Sequence, residues 1–130
     1  MARKGNQRII IFSKVAKLFL LEVYQRAVEW AERIETLCES VSKGNHHLTD
    51  QLRRAALSIS LNIAEGSGRW HKGDKKQFYL IARGSAYECV PILDLLHREK
   101  LIEDRIHESF KNEVDITAKI LTKLVQSVEK

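Results

Sequence analysis

Apolar residues return at spacings of three and four through most of the chain, and the pattern divides into four stretches. In the first, Leu20, Tyr24, Ala27, Ala31, Ile34, Cys38 and Val41 form one stripe. Val23, Trp30 and Leu37 run beside it at intervals of seven, while Glu22, Gln25, Arg26, Glu29, Glu32, Arg33 and Glu39 fall on the opposite side. A stripe of that width with a charged reverse predicts an amphipathic helix facing a core. Ser13 is the expected N-cap, and Lys43-Gly44-Asn45 the expected stop.

The second stretch is apolar nearly all round: Leu52, Ala55, Ala56, Leu57, Ile59, Leu61, Ile63 and Ala64 are broken only by Arg53, Arg54, Ser58, Ser60 and Asn62. A helix of that kind is covered on more than one side. In a small bundle the second cover is another subunit, so Leu57 and Leu61 are expected at an oligomer interface, with Leu80 and Tyr87 from the next helix. Thr49 or Asp50 is the expected cap of this helix, which ends at Gly66-Ser67-Gly68. Asp74 is the expected cap of a third, carrying Phe78, Ile81, Ser85, Cys89, Ile92 and Leu96, with a kink at Pro91. A fourth carries Ile106, Phe110, Val114, Thr117, Leu121, Leu124 and Val128. Short links make neighbouring helices antiparallel, so the expected fold is an all-α, up-down-up-down four-helix bundle over residues 20–130, preceded by a basic extension over 1–19.

Totals narrow this picture without changing it. A chain of 130 residues, 44% hydrophobic, with a single proline, is one domain with room for a core. Cys38 and Cys89 lie far apart at apolar helical positions, so both are expected to be buried free thiols in a reducing cytoplasm. No apolar run approaches the ~20 residues of a membrane span. The nearest, Arg8 to Leu21, is interrupted by Ser13, Lys14 and Lys17 and lacks a small-residue cleavage site, so no signal peptide is expected.

The net charge of +5 is uneven. Residues 1–20 hold five cations and no acid. Residues 51–83 hold Arg53, Arg54, Arg69, Lys72, Lys75, Lys76 and Arg83 against only Glu65 and Asp74. The rest of the chain is slightly acidic, which implies a directed positive surface.

Catalytic and metal chemistry find little support. His46 and His47 are adjacent and diverge, and His71, His97 and His107 have no partner at ligand spacing. The ten-residue gap between His97 and His107 crosses a loop and sets no geometry. Ser58 and Ser60 sit in an apolar helix with no nucleophile elbow, and Gly66-Ser67-Gly68 follows a helix without the Gly-Lys-Ser/Thr ending of a phosphate loop. No enzymatic activity, metal or cofactor is expected.

The cations are more telling. Arg53, Arg54, Arg69, Lys72, Lys75 and Lys76 are expected near the turn between helices two and three, with Trp70 among them. Cations around an aromatic suit a nucleic-acid backbone. Trp70 would stack on a base or a lipid, or cover the bundle end. For Arg53 and Arg54 the competing role is pairing with carboxylates such as Glu65 or Glu88.

Three stretches carry a family resemblance. They are Leu21-Glu-Val-Tyr24-Gln25-Arg26-Ala27-Val-Glu29-Trp30-Ala31; Gln51-Leu-Arg53-Arg54-Ala55-Ala56-Leu-Ser58-Ile59-Ser-Leu-Asn62-Ile63-Ala64-Glu65-Gly66 with Gly68-Arg69; and Lys75-Lys76-Gln-Phe78 with Ile81-Ala82-Arg-Gly84-Ser85 and Glu88. Together they resemble the four-helix-bundle proteins encoded in 23S rRNA intervening sequences, a family that includes the accessory variability determinant of diversity-generating retroelements. The resemblance implies a homopentameric ring with a positive surface that binds RNA or DNA and, in the retroelement branch, a reverse-transcriptase partner. Three features depart from it: Ser60 where the family usually has proline, Pro91 in the third helix, and the extension over 1–19.

Overall fold

The computed structural model describes residues 14–41 and 44–129. They form four helices: α1 (Lys14–Ser40), α2 (His46–Ser67), α3 (Lys72–Arg98) and α4 (Asp104–Glu129), with no strand among the described residues. Each helix packs along its length on its two neighbours in the order α1–α2–α3–α4–α1. That is a square, antiparallel bundle. Ser13, Lys43 and the basic segment 1–13 lie outside the described residues; α1 runs through the position where the extension was expected to meet the bundle.

The core runs the length of the square. Ile34, Leu52, Ile59, Ile63, Leu93, Leu96, Leu121 and Leu124 are essentially inaccessible, and Trp30 packs on Phe110 at 5.1 Å between ring centres. On α1 the row Val23, Trp30 and Leu37 is buried together with Ala27, Ile34, Cys38 and Val41, whereas Tyr24 is exposed. Ile81 on α3 is also exposed, and Tyr79, Ala82, Ala86 and Leu93 take the interior with Ser85, Cys89, Ile92 and Leu96. The spacing rule finds a stripe about 100° wide but not its centre. The packing of neighbouring helices decides the centre, so Ala27, Ala82 and Ala86 are fully buried while the bulkier Tyr24 and Ile81 are not. Both cysteines are free and buried; burial raises the Cys38 thiol to about 11 and the Cys89 thiol to about 12, so neither is a reactive thiolate.

The helix ends depart from expectation in detail. α2 begins at His46, a turn before Thr49 or Asp50, with Asn45 as its N-cap residue and the Asn45 carbonyl accepting from the Leu48 and Thr49 N–H groups. Thr49 is drawn inside: its hydroxyl donates to the Asn45 and His46 carbonyls, and its own carbonyl accepts from the Cys38 thiol. Gly44 takes φ +111° in the preceding turn, a conformation that favours glycine. In α3 the N-cap is His71, and Asp74 lies in the first turn, where its charge still suits the helix dipole. The helix continues through Pro91; Pro91 and Tyr87 are both on its exposed side, so the carbonyl freed there is left to water. α3 closes with the Leu101 N–H on the Leu96 carbonyl at 2.9 Å and Lys100 at φ 60°, a Schellman turn without its usual glycine.

Candidate nucleic-acid interface

Antiparallel packing sorts the cations by height along the bundle. Cys38 against Thr49 and Glu35 against Arg53 set the α1–α2 register. Continued along both helices, it brings the start of α1, with Lys17, level with the α2–α3 turn. Lys17 of α1, the described cation of the first basic zone, therefore meets cations of the second at one end of the bundle: Arg69 from the turn, and Lys72, Lys75 and Lys76 from the first turns of α3. Among the described side chains there, Glu22, Glu65 and Asp74 are the nearby acids.

Arg53 and Arg54 do not join them. They lie near the other end of α2, roughly 20 Å away at 1.5 Å per residue. Arg53 donates to Glu35 at 2.8 Å and Asp50 at 3.4 Å, and the Glu35 bond holds its guanidinium more firmly charged. The carboxylates expected for it, Glu65 and Glu88, are not its partners. Arg54 is exposed and makes no ion pair among the described residues. Arg83 sits mid-helix and donates to the Thr122 hydroxyl of α4 at 3.0 Å.

The turn at the basic end is tightly tied. The Gly68 N–H donates to the Ala64 and Glu65 carbonyls, the Arg69 N–H to Gly66, and the Ser67 hydroxyl to Ala64. Lys75 reaches back to the Gly66 and Ser67 carbonyls at 3.3 and 2.9 Å. Its amine thus caps the C-terminus of α2, and burial lowers its pKa from the usual lysine value. Arg69 pairs with Glu65 at 2.9 Å and lies over the Phe78 ring at 4.7 Å. Gly66 is buried against α3: a Cβ there would stand 2.7 Å from the Tyr79 ring. Trp70 projects from this turn, 79% exposed.

The apolar residues expected between subunits occupy two faces. Leu57 and Leu61 are exposed on α2; the α1–α2 register places the exposed Tyr24 and Val28 beside them. Tyr87 is exposed on α3, and Leu80, half-buried, also packs on the core.

Spacing missed one constellation altogether. His97 and His107 stack face to face at 4.0 Å with their planes 6° apart. The His97 Nε2 lies 2.6 Å from Asp104, the His107 Nε2 2.7 Å from Asp94, and Lys111 pairs with Asp94 as well at 3.1 Å. The Schellman turn creates this corner by folding the start of α4 back beside the end of α3. Asp94 and Asp104, each three residues before a histidine, were the available signal, but the pairs form crosswise. Among the described residues no three His, Cys, Asp or Glu side chains are placed to hold a metal ion.

A square antiparallel bundle with a cationic end and two exposed apolar faces defines a small all-helical protein. The profile of the 23S rRNA-intervening sequence protein family matches residues 20–123, and the chain belongs to that family. A crystal structure of a protein of unknown function from the S23 ribosomal protein family of Bacteroides thetaiotaomicron is similar at a TM-score of 0.76 and 26% identity, covering 83% of this chain and 98% of that one. No curated protein matches. No helix among the described residues is long and apolar enough to cross a membrane.

Proposed function

We propose that the protein is a non-enzymatic, homo-oligomeric nucleic-acid-binding protein of the cytoplasm that holds phosphate backbones with little sequence selectivity. The observation that carries this reading is the convergence of Lys17, Arg69, Lys72, Lys75 and Lys76 at one end of the bundle. Cations gathered against few acids attract a polyanion, and nothing at that end is shaped to read base edges. Arg53, Arg54 and Arg83 stand apart and join the interface only across a larger assembly. The family's name makes RNA the first nucleic acid to try.

Fluorescence anisotropy of labelled RNA and DNA across a salt series tests it. Affinity should fall steeply with salt, and replacing Arg69, Lys72 and Lys76 with Ala should shallow the slope by roughly 0.7–0.9 for each phosphate no longer neutralised. No binding at low salt would sink the reading.

A second reading is a scaffold that positions a partner such as a reverse transcriptase, and the exposed apolar faces favour it. Two unlike faces, one at Tyr24, Val28, Leu57 and Leu61 and one at Leu80 and Tyr87, suit a head-to-tail ring, in which each subunit offers a different surface to each neighbour. The resemblance sets the expected number at five. Leu57→Glu should convert the assembly to folded monomer in sedimentation velocity. An unchanged sedimentation profile would remove Leu57 from the interface.

A further inference from the structure

Trp70 is the most exposed large apolar side chain among the described residues. Leu57, Leu61, Tyr24 and Val28 form faces with one another, whereas Trp70 projects from a turn between a C-cap glycine and the α3 N-cap residue, and the register that brings Lys17 level with it brings the exposed Leu18 level too. Looseness of the turn does not explain its exposure. The backbone on its N-terminal side is tied through the Gly68 and Arg69 N–H groups, Lys75 binds the same carbonyl edge, and Gly66 is wedged on Tyr79. The neighbouring Arg69 guanidinium is held by Glu65 and the Phe78 ring. An indole held out from a tied turn gives up little conformational freedom when something covers it.

What would cover it is constrained by its neighbours. Arg69, His71 and Lys72 flank it in sequence, and Lys17 and Lys76 stand at the same end. An apolar protein surface arriving there would have to approach through those cations. An unpaired nucleotide brings both parts needed: a flat base for the indole face and a phosphate on each side for the cations. A base inside a duplex offers no free face.

We infer that Trp70 is a stacking platform for an unpaired base, so that the basic end of the bundle prefers single-stranded or looped nucleic acid over continuous duplex. The inference rests on the nucleic-acid reading proposed above and adds the class of strand it takes.

The test compares three labelled probes of equal phosphate number: a uridine oligomer, an abasic oligomer and a duplex, against the intact protein and against Trp70→Ala and Trp70→Phe. The uridine oligomer should bind tightest. Trp70→Ala should weaken that probe by roughly 5- to 100-fold, leaving the abasic strand and the slope of affinity against salt unchanged, and Trp70→Phe should restore much of the affinity. Because Trp30 is buried, the emission that the uridine oligomer quenches should come from Trp70. Equal binding of all three probes, indifferent to Trp70→Ala, would overturn the stacking inference and leave the phosphate reading standing. Failure of every probe at low salt would overturn both. Quenching by anionic vesicles but by no oligomer would reassign the indole to a lipid surface.

Discussion

The α2–α3 turn and the α3–α4 corner lie at opposite ends of the bundle, and both join long antiparallel helices through a few residues. Their chemistry diverges. At the corner the charged groups satisfy one another: each stacked histidine has its own aspartate, Lys111 shares Asp94, and Leu101 and Ile102 fold onto the core. At the turn Arg69 and Lys75 are tied down, yet the largest apolar side chain points into solvent and cations gather around it. A turn that closes its own polar groups serves the fold. One that is equally tied but presents an indole among cations adds little to the core, and it is the feature on which the proposed binding role rests.

The strongest way to break the contrast is at Gly66. Gly66→Val would drive a side chain into Tyr79 and Phe78, and a destabilisation of about 2–3 kcal/mol is expected from such overpacking, read as a lower urea midpoint. The His97–His107 corner, being at the other end, should keep its NMR shifts. If stability held and only the corner moved, the two ends would not be independent.

Asp94→Ala attacks the corner. It removes the acceptor of His107 and Lys111 and should cost about 1 kcal/mol, because the carboxylate is partly open to water. The hydrogen bond from His107, then that from Lys111, holds the Asp94 carboxyl below its ordinary value against the opposing effect of burial. A lowered native pKa means the stabilisation is present above the unfolded value of about 3.9 and fades as pH falls through the native one. Acid unfolding followed by circular dichroism should therefore lose part of its steepness below pH 4 in Asp94→Asn.

Lys75→Met should cost about 1 kcal/mol by uncapping the Gly66 and Ser67 carbonyls, and the effect should be local to the basic end. Hydrogen exchange of the Gly68 and Arg69 amides should accelerate while that of Lys100 and Leu101 does not. The smallest effect is expected at Lys100, a non-glycine residue at φ 60°. Lys100→Gly should raise stability by roughly 0.5 kcal/mol, as relief of the left-handed strain outweighs glycine's entropy in the unfolded chain. A decrease would mean that the Lys100 side chain itself supports the corner.

The helices and their order were legible from periodicity, because each residue carries its apolar or polar character wherever the chain goes. The second exposed face of α2 was legible for the same reason: Leu57 and Leu61 lie almost opposite Ile59 on any helix and cannot share its burial. Free, buried cysteines followed equally from their place in the pattern. Periodicity alone puts Tyr24 and Ile81 inward, wrongly, because a period defines a stripe while the packing of neighbouring helices chooses its centre. Residue type alone makes Thr49 and Asp74 caps, whereas burial of Thr49 against α1 draws the helix start back to His46.

Only the tertiary structure decided which charged groups meet. Arg53 and Arg54 are close in sequence to the turn cations but about four helical turns from them in space, while Lys17, some fifty residues before Arg69, is brought level with it. The histidine stack depends on one Schellman turn whose left-handed residue is a lysine, so no glycine announced it. The physical reason is the same throughout. Helix formation responds to spacings of three and four along the chain, but encounters between helices depend on register and turn geometry, and those follow from how four apolar stripes settle into one core.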